Sequence, residues 1–98
     1  MTHTQSDPSA RFLSEGAPGA RGVILRVHPH EDARGALSVE ELERRLLELG
    51  FVEGAVVEVL HEGLFGRDPM AVRLDDMRVA LRRREASAVE VAFEEAGL

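Results

Sequence analysis

The chain has 98 residues, a formal net charge of -6 and no cysteine. This length predicts one domain, and the lack of cysteine excludes disulfides, thiolate metal sites and thiol nucleophiles. The negative charge disfavours a nucleic-acid-binding role, because affinity for phosphates comes from clustered Lys and Arg. No apolar run approaches the ~20 residues that span a bilayer, and no basic segment followed by an apolar one begins the chain. We therefore expect a cytoplasmic protein.

The first third of the chain predicts one strand after an unpatterned start. Residues 1–12 are largely polar and predict a flexible N-terminal extension. Three Gly and a Pro between Leu13 and Gly22 indicate turns. Val23–Val27 predicts a strand because apolar side chains alternate along it. Pro29 then ends the ladder, since proline cannot donate a backbone hydrogen bond.

The segment from Ser38 to Leu49 predicts a helix. Ser38 is a good N-cap, and Glu41 three residues later completes a capping box. Glu41 also stands four residues before Arg45, a spacing that favours an ion pair. Leu47 lies off the apolar stripe; it either widens the buried face, which we favour, or meets a partner. The stripe itself consists of Val39, Leu42, Leu46 and Leu49.

The second half of the chain predicts strands. Apolar residues alternate from Ala55 to Glu62, and the stretch from Met70 to Leu81 predicts a hairpin with its turn at Asp75 and Asp76. A short helical turn and a last strand, Val89–Val91, follow. We expect residues 92–98 to form a C-terminal tail. Five short strands with one inserted helix predict a small bent barrel, because closure removes exposed strand edges.

Four segments carry a family resemblance through their order and spacing. They are Leu13-Ser14 with Pro18-Gly19 and Gly22; Arg45 to Phe51 with Gly54; Leu64 and Gly66 with Asp68-Pro69; and Val79 to Arg83 with Glu85-Ala86. Together these segments resemble the ferrous iron transport protein A (FeoA) family. The resemblance implies a mainly β fold over residues 13–91, a small SH3-like β-barrel of about five strands with one inserted α-helix.

The resemblance also implies a function. Members of this family are cytoplasmic accessory proteins of ferrous iron uptake that bind and modulate the ferrous iron permease FeoB, whose cytoplasmic domain binds GTP. The chain would then reach the membrane only through this partner. It has no Gly-x-x-x-x-Gly-Lys-Ser/Thr motif with which to bind GTP itself. The alternative is a stand-alone SH3-like regulatory module related to the C-terminal domain of iron-dependent repressors.

An apolar pair, Leu64 and Phe65, falls at the tip of a glycine-flanked loop. Neither residue follows a strand or helix period, and exposed aromatic residues on loops are favoured interface anchors. Alternatively, Phe65 folds back to plug one end of the barrel. We predict a partner-binding surface that comprises Leu47, Leu64, Phe65, Asp68 and Pro69.

The candidate metal ligands are His28 and His30, with Glu31 and Asp32 beside them. Imidazole and carboxylate groups suit zinc or ferrous iron. A His-x-His pair without a third fixed ligand is nevertheless more often incidental. We therefore predict no metal site, no cofactor and no catalytic residue. A small metal-binding or enzymatic protein is the third hypothesis, and the sequence leaves the oligomeric state open.

Overall fold

The computed structural model describes residues 10–30, 37–61 and 68–94. These segments contain six strands and three helical elements. The strands are β1 (Ala10–Phe12), β2 (Arg21–Val27), β3 (Val56–His61), β4 (Met70–Leu74), β5 (Met77–Leu81) and β6 (Val89–Phe93). The helical elements are a 3-10 turn (Leu13–Glu15), the helix α1 (Val39–Leu49) and the single turn α2 (Arg83–Ala86). No helix in the described segments is long and apolar enough to cross a membrane.

All six strands join one antiparallel sheet in the order β1-β6-β2-β3-β4-β5. The mainly β fold with one inserted helix is therefore confirmed. The predicted closure by strand pairing is not observed among the described residues, where β1 and β5 remain the two ends of the sheet. Instead, the 3-10 turn after β1 meets α2, which follows β5. The Arg83 guanidinium in α2 donates a hydrogen bond to the carbonyl oxygen of Ser14 in the 3-10 turn.

The first and the last strand in the chain both lie partly outside the limits predicted from the sequence. Residues 10–12, assigned from the sequence to a flexible extension, form β1 and pair with β6. β6 in turn continues to Phe93, two residues past the predicted last strand. A three-residue edge strand is too short to show an alternating pattern of apolar residues. It is therefore recognisable only from its pairing with β6 and not from the local sequence.

The helix α1 has the N-cap that the sequence predicts, and it ends in a glycine C-cap. The Glu41 carboxylate accepts the Ser38 N–H at 2.9 Å, and Ser38 Oγ accepts the Glu41 N–H at 3.1 Å. Hydrogen bonds to the Glu41 carboxylate from the Ser38 backbone, and to a smaller extent from the Ser38 side chain, lower the pKa of Glu41, because they favour its ionised form. At the other end, Gly50 adopts a φ of 109°. The Phe51 N–H then reaches the Leu46 carbonyl at 3.0 Å, completing a Schellman motif.

The core lies between α1 and the inner face of the sheet. Leu42 and Leu46 are fully buried, while Val39 and Leu49 at the edges of the stripe are half-buried. Leu47 is 43% exposed, so the favoured interpretation that it widens the buried face is wrong. The core residues from the rest of the chain are Leu13, Ile24, Phe51, Ala55, Val57, Val59, Met70, Val72, Leu74, Leu81, Ala86, Ala88, Val89 and Val91.

Candidate partner-binding surfaces

Leu47 lies on the outer face of α1, pointing away from the core. It follows the fully buried Leu46, and one residue turns a helix by about 100°. Charged side chains border it, so a partner residue could cover the leucine while the charges stay near water at the edge of the contact. Among the described residues, Leu47 lines a shallow, open depression with Glu40, Glu43, Arg44 and Glu48. This arrangement fits the second interpretation of Leu47, contact with a partner.

The helix α1 is tied to α2 by an ion pair. Arg45 Nε lies 3.1 Å from Glu85 Oε2. The other oxygen of Glu85 accepts the Arg82 N–H at 3.0 Å and so caps the start of α2. The predicted pair between Arg45 and Glu41 is wrong, because the Glu41 carboxylate is held by the Ser38 backbone instead.

Asp68 has a structural role in the same region. Its Oδ1 accepts the Arg83 N–H at 2.9 Å, which satisfies a free donor in the first turn of α2. Its Oδ2 lies 4.0 Å from the Arg82 guanidinium. Pro69, which follows through a cis peptide bond, is exposed. The contacts of Asp68 and Glu85 therefore connect the start of β4, α2 and α1.

The five predicted partner-binding residues divide into two groups. Leu47, Asp68 and Pro69 lie in the described segments. Leu47 and Pro69 are exposed, whereas Asp68 is half-buried and bonded to α2. Leu64 and Phe65 lie outside the described residues, so their placement on a partner-binding surface stays a prediction.

One exposed apolar side chain near α1 was missed. Val52, just past the Gly50 cap, is 46% exposed. The sequence contains a signal for it, because the Schellman motif directs Phe51 towards the core. The Val52 N–H then donates to the Gly50 carbonyl oxygen at 2.8 Å, in a tight turn at Phe51, and the Val52 side chain lies on the solvent side.

The two histidines of the candidate metal site have separate partners. His28 Nε2 lies 2.8 Å from Glu90 Oε1 on β6. His30 Nε2 lies 3.4 Å from Ser87 Oγ, after α2. The carboxylates expected beside them, Glu31 and Asp32, lie outside the described residues.

No metal centre is assembled by the part of the chain that the structure describes. Within it, no three His, Asp or Glu side chains converge closely enough to hold an ion. All described polar side-chain atoms that are buried have hydrogen-bond partners. The absence of a metal site over the whole chain stays a prediction.

The described elements define the class of protein: a small, mainly β domain with the SH3-like fold. The family model for the FeoA domain matches residues 12–92. The chain is 38% identical over 79 residues to an Fe(2+) transport protein A/Fe(2+) transporter FeoB fusion protein of Porphyromonas gingivalis. That match covers 81% of this chain but only 8% of the fusion protein. The chain belongs to the FeoA family.

Solved structures show the same fold. Stenotrophomonas maltophilia FeoA in complex with zinc, described as an SH3 domain protein, superposes with a TM-score of 0.69 at 32% identity. The match covers 86% of this chain and 95% of that one. A manganese-dependent transcriptional repressor bound to manganese superposes with a TM-score of 0.72 at 21% identity. It covers 90% of this chain and 38% of the repressor, and this likeness concerns the fold alone.

Proposed function

We propose that the chain is a non-enzymatic, cytoplasmic accessory protein of ferrous iron uptake that binds the GTP-binding domain of FeoB and modulates its activity. The supporting observation is the relative in which a similar segment and FeoB form one polypeptide. Covalent linkage holds two modules at a high effective concentration, an arrangement that suits modules working in contact. The repressor-related alternative has only the shared fold in its favour.

The proposed docking surface combines Leu47 with the Leu64-Phe65 loop and Pro69. Leu47 contributes an exposed apolar side chain on a rigid helix, and the charged residues around it form a polar rim. Interfaces commonly have this anatomy, an apolar centre within a polar border. The rest of α1 packs on the core through Leu42 and Leu46, so the helix can present Leu47 without rearrangement.

Binding to the purified cytoplasmic domain of FeoB tests the proposal. We expect the wild-type chain to be retained on this domain and to change its rate of GTP hydrolysis. Leu47→Asp should weaken binding at least about tenfold, because a charge replaces an apolar contact. The matched control is Met77→Asp, at a residue that is 53% exposed and lies on β5 rather than α1. No binding by the wild-type chain would overturn the proposed function.

Phe65→Ala separates the two interpretations of the loop. If Phe65 is an anchor, this variant loses FeoB binding and keeps the wild-type melting temperature. If Phe65 plugs the core, truncation leaves a cavity and lowers the melting temperature. Retained binding by a destabilised variant would remove Phe65 from the docking surface.

A further inference from the structure

The outer face of the sheet carries a row of alternating charges on neighbouring strands. Arg21 on β2 lies opposite Glu58 on β3, which lies opposite Arg73 on β4. On the other side of Arg21, Glu94 follows the end of β6, with its carboxylate 4.0 Å from the Arg21 guanidinium. The Glu58 and Arg73 side chains are 3.1 Å apart. From β6 to β4, the charges therefore read negative, positive, negative, positive.

An apolar row runs beside the charged one. Val23 on β2 is the cross-strand neighbour of Val56 on β3 and of Ala92 on β6. Ala92 in turn lies opposite Ala10 on β1. The two valines are 41% and 36% exposed, and they lie on the face of the sheet opposite the buried Ile24 and Val57. Four of the described strands thus contribute to one apolar row next to the charges, in which the two valines are exposed and the two alanines are half-buried.

The charged row is its own electrostatic complement. A two-fold axis parallel to the strands, midway between β2 and β3, would place β2 of one copy against β3 of a second copy. Arg21 would then face Glu58 of the second copy, and Arg73 would face its Glu94. The two remaining contacts repeat these by symmetry, so all four charges meet the opposite sign. Self-complementarity of this kind is what a two-fold interface requires.

The same axis brings the exposed valines together. Val23 of the second copy would face Val56, which lines a shallow depression with Arg21, Glu58, Arg73 and Asp75. The valines would gain burial there, and the charged row beside them would form one border of the contact.

We propose that this outer sheet face binds the same face of a second copy of the chain. The dimer is weak, because its charge pairs are exposed and screened by salt. The face lies on the opposite side of the sheet from α1, so dimerisation leaves Leu47 uncovered. The inference does not depend on FeoB, and each can fail without the other.

Two charge variants and their mixture test the pairing. Glu58→Arg with Glu94→Arg makes the row wholly positive, and Arg21→Glu with Arg73→Glu makes it wholly negative. Neither variant should form dimers with itself, because like charges would meet across the axis. An equimolar mixture should restore a dimer, since each positive residue then faces a negative one. The measurement is sedimentation equilibrium over a series of protein concentrations at low salt.

A control and a salt series complete the experiment. Glu40→Arg with Glu43→Arg changes the net charge by the same amount as the positive variant, but on α1. This control should dimerise like the wild type, whereas Val23→Ser should raise the dimer Kd by about tenfold. Added salt should weaken the wild-type dimer. A wild-type chain that stays monomeric at millimolar concentration overturns the proposal. So does a mixture of the two row variants that fails to associate while both remain folded.

Discussion

Leu46 and Leu47 are neighbours in the sequence but have opposite environments on α1. Leu46 is fully buried, and Leu47 is 43% exposed. Leu46→Ala should cost about 2–5 kcal/mol of unfolding free energy, because it leaves a cavity between the helix and the sheet. Leu47→Ala should stay within about 0.5 kcal/mol of the wild type. Urea unfolding of the two variants measures both values, and equal losses would show that the buried face is assigned wrongly.

Residue environments could be predicted where a local period decides them. The helical stripe predicted Val39, Leu42, Leu46 and Leu49 as the packed positions, of which Leu42 and Leu46 are fully buried and the other two half-buried. The capping box predicted the partners of Ser38 and Glu41. The partner of Arg45 could not be predicted in this way. It is Glu85, forty residues further along the chain, and only the packing of α2 against α1 brings the two together.

Gly22 in a strand and Gly54 in a turn both require glycine, but for different physical reasons. At Gly22 in β2, an added Cβ would lie 2.3 Å from the Ala92 carbonyl oxygen on β6. At Gly54, before β3, the space is open but φ is +91°. Gly22→Ala should therefore force β2 and β6 apart, with a loss of about 1–3 kcal/mol or more. Gly54→Ala should cost about 1–2 kcal/mol through the left-handed backbone alone.

Asparagine variants distinguish the two causes. Gly54→Asn should be less destabilising than Gly54→Ala, because asparagine tolerates positive φ better. Gly22→Asn should be at least as destabilising as Gly22→Ala, since the larger side chain meets the same backbone. Thermal unfolding of the four variants gives the order, and a milder effect of asparagine at Gly22 would contradict the steric explanation.

The strands were predictable to different degrees. The hairpin of β4 and β5 is as expected, because alternating apolar residues flank a two-residue turn. The turn carries a left-handed residue, Asp75, at a φ of 52°. Its carboxylate accepts the Val56 N–H at 3.1 Å, which fastens the turn to β3. That contact has no local signal, nor has the pairing of β1 with β6.

For the whole molecule, β1 matters because it covers the outer edge of β6. A chain that begins at Leu13 lacks β1 and exposes the backbone groups of β6 to other chains. We expect this chain to have a lower melting temperature and a greater tendency to aggregate than one that begins at Ser9. Thermal unfolding and light scattering of the two chains measure these effects. Identical behaviour would mean that β1 contributes nothing to the stability of the sheet.

The SH3-like class followed from the family resemblance and from the order of the elements, and the structure confirms it. The open ends of the sheet did not follow from either. The hazard of exposed strand edges favoured closure by pairing, but among the described residues the 3-10 turn and α2 meet instead. Short helical turns of three and four residues leave too weak a periodic signal to predict how they pack.

The contact between Arg83 and the Ser14 carbonyl connects the two ends of the sheet through one side chain, not through a ladder of hydrogen bonds between strands. A ladder between two strands demands a fixed register over successive residues, whereas a single guanidinium can follow a carbonyl oxygen that shifts by a fraction of an ångström. We therefore expect β1 and β5 to tolerate one-residue insertions or deletions better than strands paired across a closed barrel, as long as Arg83 still reaches the Ser14 carbonyl.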